Sequence, residues 1–294
     1  MIDGKIQTFL MVCNYMNYTK AAEELHLTQP AVSQQIHGLE EYYHTKLFVR
    51  EGRKLLLTKA GEMLYHASVA LCQNDRMLKE ELLHSEQKEG PLDFGATLTI
   101  GEYLMADRIE AYLARHPSCK VRMVEDNTEK LLQQLKNDEI DFAIVEGNFK
   151  KSEFEFETFS RERYIPVMHA DYRCQNEIHR FSDLLGECLI TREEGSGTRD
   201  ILEKYMEAKN LTVFDFARTL EIGGIQAIKS LVKRKVGITF IYEAAVKEEI
   251  LSGEFVEVKL KDFVAFHDFN FIWNRGSIYK EKFIELCKQL SDLL

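Results

Sequence analysis

The chain has 294 residues and a formal net charge of −10 at pH 7. This length suggests two or more domains, and the acidic balance argues against a generally basic nucleic-acid binder. No apolar run approaches the roughly 20 residues of a membrane helix, and the N-terminal sequence lacks the features of a signal peptide. We therefore expect a cytoplasmic protein without membrane contact.

Neither the cysteines nor the histidines predict a metal, cofactor or catalytic site. The six cysteines are scattered without a CxxC pair, and the nine histidines form neither HExxH nor HxH. No GxSxG nucleophile motif is present. We therefore do not expect an enzyme, although Cys174 and Cys188 are close enough in sequence to leave a redox-sensing pair as an alternative.

Residues 1–58 combine short amphipathic helices with a hairpin. Thr19 is predicted to cap the second helix and Thr28 the third, in which Pro30 lies in the first turn, where its missing N–H costs nothing. Two helices that meet in a tight turn, the second with a polar outer face, indicate a helix-turn-helix. In the stretch KLFVREGRKLLLT, apolar and polar residues then alternate on both sides of a turn at the glycine, which predicts a two-stranded wing.

The polar side of the third helix carries candidate DNA-binding residues. The N-terminal residues of such a helix can reach base edges in the major groove, where glutamine matches adenine and serine matches several bases. Arginines on the wing would contact phosphates. A plain helical hairpin with solvated glutamines is the alternative. The candidates are Thr28, Gln29, Pro30, Ser33, Gln34, Arg50 and Arg53.

Residues 59–90 predict a long linker helix that ends at the pair Gly90-Pro91. Its leucines recur every seven residues, which favours a helix paired with a second copy of the chain in a dimer or tetramer. A core helix within one domain is the alternative. The predicted dimerisation residues are Leu64, Leu71 and Leu78.

After residue 91 the pattern changes to alternating strands and helices, which indicates an α/β domain with a largely parallel sheet. Such a domain would support an effector cleft, but also a solute-binding protein or an enzyme. We divide it into a first lobe of residues 91–161 and 266–294 and a second lobe of residues 162–265.

The segment TKAAEELHLTQPAVSQQIHGLEEYYHTKLFVREGRKLLLTKAG resembles the winged helix-turn-helix of the LysR-type transcriptional regulators. The matching features include the Ala21-Ala22 pair, the run LTQPAVS and the Leu57-Thr58 pair followed by Gly61. The resemblance covers essentially the whole chain. It implies a winged helix-turn-helix, a linker helix and a two-lobed, Rossmann-like effector domain similar to periplasmic binding proteins. It also implies a homodimer or homotetramer on double-stranded operator DNA, controlled by a small-molecule effector, with RNA polymerase as a further candidate partner.

The two α/β lobes would leave a cleft between them, a usual place for a ligand. In this family the positions that match Thr97, Thr99, Ser196 and the strand end at Glu146-Gly147 commonly line the effector pocket. Hydroxyls and glycines there stand beside predicted helix starts, where N–H groups favour an anion, although each is also explained by an ordinary cap or turn. Glu146 departs from the family, because small hydroxyls are common at its position. If it faced the pocket ionised, it would repel an anion or select a ligand with an amine or hydroxyl. The candidate effector-binding residues are Thr97, Thr99, Glu146, Gly147, Ser196, Gly197 and Thr198.

Overall fold

A computed structural model describes residues 3–83 and 90–291. By contact, the chain divides into two compact units. The first contains the chain up to Gly90 with the short segments Lys136–Asp138 and Asn274–Glu281. The second contains Pro91–Leu135, Glu139–Trp273 and the chain from Lys282 onward. Within the described ranges, no helix combines the length and apolar character needed to cross a membrane.

The first unit is built from helices and one hairpin. Each of its three short helices has an N-cap side chain that accepts from a free backbone N–H in the first turn of that helix. The elements are α1 (Gly4–Tyr15), α2 (Tyr18–Glu24), α3 (Gln29–Tyr43), β1 (Phe48–Glu51), β2 (Lys54–Leu57) and α4 (Lys59–Leu83).

The cap of α2 corrects one sequence prediction. Asn17, not Thr19, caps this helix, since its side-chain oxygen accepts from the backbone N–H groups of Thr19 and Lys20 at 2.9 and 3.1 Å. The helix begins two residues earlier than expected because asparagine satisfies two donors from an extended conformation. The other prediction is confirmed: the Thr28 hydroxyl accepts from the Ala31 N–H at 3.3 Å and caps α3.

Three helices of the first unit enclose one apolar core. Phe9 and Val12 of α1 pack with Ala21 of α2 and with Val32 and Ile36 of α3, and all five are buried. Burying one face of α3 in this core leaves its other face in solvent, so the core sets the orientation of α3.

Polar contacts fix the positions of α3 and the wing. The Thr8 hydroxyl donates to Gln35 Oε1 at 2.6 Å, which joins α1 to α3. The Glu40 carboxylate accepts from the Leu47 N–H at 3.0 Å, just before β1. The Thr58 hydroxyl accepts from the Gly61 N–H at 3.0 Å and so caps α4. The expected end of this helix near residues 89 and 90 falls partly outside the described residues, because 84–89 are not among them.

The second unit alternates strands and helices as the sequence predicts. A π-helical turn at Gly101–Met105 joins its first two helices. Its strands are β3 (Leu92–Thr97), β4 (Val121–Asp126), β5 (Phe142–Val145), β6 (Phe154–His169), β7 (Cys188–Thr191), β8 (Arg218–Glu221), β9 (Ile238–Tyr242), β10 (Phe255–Glu257) and β11 (Ala265–Asn274). Its helices are α5 (Leu98–Ile100), α6 (Ala106–Arg115), α7 (Thr128–Lys136), α8 (Gly197–Glu207), α9 (Ile225–Lys233), α10 (Lys247–Leu251) and α11 (Lys280–Ser291), with 3₁₀ turns at Phe181–Gly186, Val213–Asp215 and Glu243–Val246.

One sheet runs through both lobes of this unit. Its strand order is β4-β3-β5-β11-β6-β9-β7-β8, with β10 paired to β6. In the first lobe β3 pairs in parallel with β4 and β5, and in the second β7 pairs in parallel with β8 and β9. The long strands β6 and β11 lie between these sets and pair antiparallel with β9 and β5. They therefore connect the two lobes.

Each lobe has a core of its own. In the first lobe Phe142 of β5 stacks between Phe94 of β3 and Phe271 of β11, with ring centroids 4.9 and 4.3 Å apart. In the second lobe Ile190 of β7 packs with Ile228 of α9. The central strands β5 and β9 are buried at every residue, as parallel strands covered by helices on both faces must be. Each α/β set is thus a rigid support for the polar residues at its strand ends.

Candidate DNA-binding surface and effector site

The outer face of α3 carries the side chains that the sequence predicts to read DNA. Gln29, Ser33 and Gln34 are exposed, while Val32 and Ile36 between them are buried. This separation follows from helical periodicity. An exposed polar face on a helix fixed by its cap and its core is the arrangement of a recognition helix.

The wing presents positive charge beside that face. Strands β1 and β2 pair antiparallel, with Arg50 opposite Leu55. Arg50, Arg53 and Lys54 are exposed on the hairpin. Guanidinium and ammonium groups in this position suit phosphate contacts, which supply affinity without sequence information.

Helix α4 exposes an apolar stripe. Leu71 and Leu78 are 59% and 45% exposed, and Leu82 at 66% extends the stripe by one turn. Leu64, the third predicted member, is partly buried against the core of the DNA-binding helices. Exposed leucines at this spacing form the kind of seam that a second helix covers.

A buried carboxyl lies where the lobes of the second unit meet. Glu146 follows β5 in the first lobe and is 1% exposed. Its Oε1 accepts from the Thr198 hydroxyl of α8, in the second lobe, at 2.5 Å, and from the Thr99 hydroxyl at a weaker 3.4 Å. The Thr128 hydroxyl donates to its backbone oxygen at 2.7 Å. Glu146 therefore joins the two lobes through hydroxyls that the sequence assigns to an effector.

Burial changes the protonation of this carboxyl. Removal from water raises the pKa of Glu146, an effect that hydrogen bonds from Thr198 and Thr99 and the charge of Arg192 partly oppose. Within the described chain its second oxygen, Oε2, has no hydrogen-bond partner, and neither do the buried hydroxyls of Thr97 and Ser196. Unpartnered buried polar atoms cost free energy, so this region holds unused hydrogen-bonding capacity.

Two glycines allow the lobes to approach closely. A Cβ on Gly197, at the start of α8, would lie 2.3 Å from the backbone oxygen of Glu146. A Cβ on Gly147 would lie 2.6 Å from the Cα of Gly197, and its φ of +88° also favours glycine. Gly147 and Gly197, both predicted site residues, therefore have to be glycine for the lobes to approach this closely.

An open cleft of about 390 Å³ lies outside this buried contact. Its walls come from the start of α7 in the first lobe and from the start of α8 in the second. Its volume is in the range of small-molecule sites. It is lined by Thr128, Glu129, Leu132, Asn148, Glu194, Gly195, Ser196, Gly197, Arg199, Asp200 and Glu203.

The structure separates the predicted effector residues into three places. Ser196 and Gly197 line the open cleft. Thr97, Thr99, Glu146 and Thr198 are buried. Gly147 borders another groove, of about 340 Å³, that also contains Asn148, Phe149 and Phe266.

The charged residues of the cleft were missed in the sequence. Arg199, Asp200 and Glu203 follow Ser196 by three, four and seven residues, the spacing of one helix face. Their helical spacing from Ser196 is the sequence pattern that could have identified them as cleft residues. Glu129 gave no such signal, because it reaches the cleft from the other lobe.

The surroundings of the two cysteines of the redox alternative disfavour their thiolate forms. Burial is the main cause that raises the pKa of Cys174 and of Cys188, and both thiols are free. A redox-sensing thiol needs the opposite shift, because the thiolate is the reactive form. The Cys174 thiol instead lies 3.6 Å from the Met168 sulfur.

A winged helix-turn-helix joined to a two-lobed α/β unit with a ligand-sized cleft defines a ligand-responsive DNA-binding regulator. Family comparison agrees. Residues 4–62 match the model of the bacterial regulatory helix-turn-helix protein, lysR family, and residues 85–292 match the LysR substrate binding domain. The chain belongs to the LysR family of transcriptional regulators, whose members bind operator DNA and small-molecule effectors. The predicted family and fold class are confirmed.

The chain is similar to known regulators over nearly its whole length. A RuBisCO operon transcriptional regulator of Allochromatium vinosum is 28% identical over 92% of this chain and 89% of its own. The HTH-type transcriptional regulator CysL of Bacillus subtilis is 27% identical over 96% and 95%. A hydrogen-peroxide-bound OxyR mutant of Corynebacterium glutamicum matches with a TM-score of 0.63 at 20% identity, covering 99% of this chain and 91% of that one. The last likeness concerns the fold alone.

Proposed function

We propose that this regulator reads its operator through α3 and the wing, as a dimer or tetramer paired along α4, in the cytoplasm. Contact with RNA polymerase would convert that binding into control of transcription. The observation that carries this proposal is the exposed set Gln29, Ser33 and Gln34 on a helix whose other face is fixed in a core. The apolar stripe of α4 supports the pairing.

We further propose that a small-molecule effector binds in the open cleft between the lobes. Residues of both lobes border the cleft. A ligand bound there therefore changes the relative stability of the arrangements that the two lobes can adopt. An effector acts only through its different affinities for the two states of the regulator. Helix α4 would then transmit the change to the DNA-binding helices.

The DNA-binding part is tested with an operator selected from random duplexes by the full-length protein. Gln34→Ala should lose about 1–3 kcal/mol on this operator and almost nothing on scrambled DNA, because glutamine contributes base recognition. The matched variant Arg53→Ala should weaken both and lower the salt slope by about one, because it removes a phosphate contact. Fluorescence anisotropy titrations measure both. Equal loss on both DNAs for Gln34→Ala would show that this residue does not read sequence.

A further inference from the structure

Most of the charged side chains that line the open cleft are acidic. Glu129 comes from α7 in the first lobe, and Glu194, Asp200 and Glu203 come from the second. One cation, Arg199, lies among them. Four carboxylates against one guanidinium give the lining a formal charge of −3, which the ion pair of Asp200 with Lys204, 3.4 Å away, partly offsets.

The charge of Arg199 is already engaged. Its side chain donates to Glu203 Oε1 at 2.7 Å and to Glu221 Oε2 at 2.6 Å. It is only 7% exposed. The start of α8 contributes a positive partial charge of about half a unit, and Asp200 in the first turn of that helix opposes it. An anionic ligand would therefore meet net repulsion.

The deeper hydroxyls are also closed to an anion. The Thr198 hydroxyl already donates to Glu146, and Thr99 contacts the same oxygen. The buried carboxyl of Glu146 thus occupies the hydroxyls of Thr198 and Thr99, and its own negative charge disfavours a ligand carboxylate or phosphate nearby.

One buried side chain in the cleft wall still has free hydrogen-bonding capacity. Ser196 is 2% exposed, lines the cleft, and its hydroxyl has no partner within the described residues. A hydroxyl oxygen can accept from an ammonium group. Together with the carboxylates, it forms a site for a charged hydrogen-bond donor.

We propose that the ligand of this cleft is a small organic amine that is protonated at neutral pH. The proposal rests on the effector cleft proposed above and assigns its ligand class. An organic amine fits better than a bare metal ion, since the described residues contain no group of three or more acidic, histidine or cysteine side chains that could hold one. The carboxylates of both lobes bind the ammonium group, so the amine stabilises the closed arrangement of the lobes.

The test compares matched ligands on the full-length protein by calorimetric titration and thermal unfolding. Ethanolamine is compared with its neutral analogue ethylene glycol and its anionic analogue glycolate. Putrescine is compared in the same way with butane-1,4-diol and succinate. The amines should bind and raise the unfolding temperature, whereas the neutral and anionic partners should not. Added salt should weaken the binding, because the lining is exposed to solvent.

Variants locate the site. Glu129→Gln should weaken amine binding about five-fold, the effect of losing one partly exposed charge pair. Ser196→Ala should weaken it as well. Glu110→Gln, an exposed position on α6 outside the cleft, should leave the affinity unchanged.

The outcomes separate the ligand class from the site. If glycolate or succinate binds and the amines do not, with binding lost in Ser196→Ala, the cleft is the effector site but its ligand is an anion. If neither amine binds, or if Glu110→Gln weakens binding as much as Glu129→Gln, the amine proposal is overturned. DNA recognition by α3 is measured independently and is unaffected by any of these results.

Discussion

At the scale of single residues, Glu146 links the two lobes. Its carboxyl is buried, and its strongest contact crosses from the first lobe to the second. Because burial raises its pKa, the folded protein holds the proton more tightly than the unfolded chain does. The stability of the lobe contact is therefore linked to pH.

Glu146→Gln should remove this pH dependence. A group with a raised folded pKa stabilises most below its unfolded value of 4.5 and loses that contribution as pH rises through the folded value. Over that window the wild-type protein should lose about 1.4 kcal/mol per pH unit relative to the variant. Glutamine keeps an acceptor for Thr198 and never ionises. Thermal unfolding of both proteins from acidic to neutral pH measures the difference.

The exposed Glu110 provides the control for this experiment. Glu110→Gln removes a carboxyl from α6 that is in contact with solvent, so its unfolding curve should shift in parallel with that of the wild type. A constant difference between wild type and Glu146→Gln at every pH would mean that Glu146 titrates alike in the folded and unfolded chains.

Gly197 sets how closely the lobes approach. Gly197→Ala would place a Cβ 2.3 Å from the Glu146 backbone oxygen and 2.7 Å from its carbonyl carbon. Backbone cannot yield as a side chain does, so the variant should lose about 1–3 kcal/mol of stability. Gly186→Ala, whose nearest neighbour would be 3.8 Å away, is the matched control. Chemical denaturation that finds the two variants equally stable would contradict the close approach.

At the scale of elements, we propose that a second copy of the chain covers the exposed leucines of α4. Leu71→Asp should place a charge in the apolar seam and favour monomers, because an uncompensated charge is costly to bury. Operator affinity should fall as well, since a monomer cannot hold two half-sites together. Light scattering and DNA titration measure the two effects.

Glu62→Lys is the control for α4. Glu62 is exposed on the same helix and precedes Leu71 by nine residues, a half-turn away at 3.6 residues per turn. The change in charge there should leave the oligomer intact. If Leu71→Asp also remains an intact dimer, this stripe is not essential for pairing.

The sequence predicted helix starts better than strand lengths. Thr28 and Ser196 mark the starts of α3 and α8 because local residues determine where a helix begins. The prediction that Thr19 caps α2 was wrong because Asn17, two residues earlier, accepts from the backbone N–H groups instead. The α/β alternation alone does not set the bounds of a strand: β6 runs from Phe154 to His169, and its pairing with β11, β9 and β10 supports that length.

At the scale of the whole molecule, family and fold followed from the sequence but the shape of the cleft did not. The helix-turn-helix motif is local, and so is the α/β alternation. The cleft instead combines Glu129 of one lobe with Glu203 of the other, and no short stretch of sequence contains that pairing. The division of the predicted residues between the open cleft and the buried contact likewise depends on how the lobes close.

The crossing strand β11 has a consequence for how the protein is made. Asn270 of β11 pairs with Val145 of β5, so the first-lobe sheet is completed only after β11 has left the ribosome. Until then β5 has an unpaired edge, which invites pairing with other chains. Messages cut short before β11 would yield aggregating fragments rather than regulators, because the last strand made holds both halves of the sheet together.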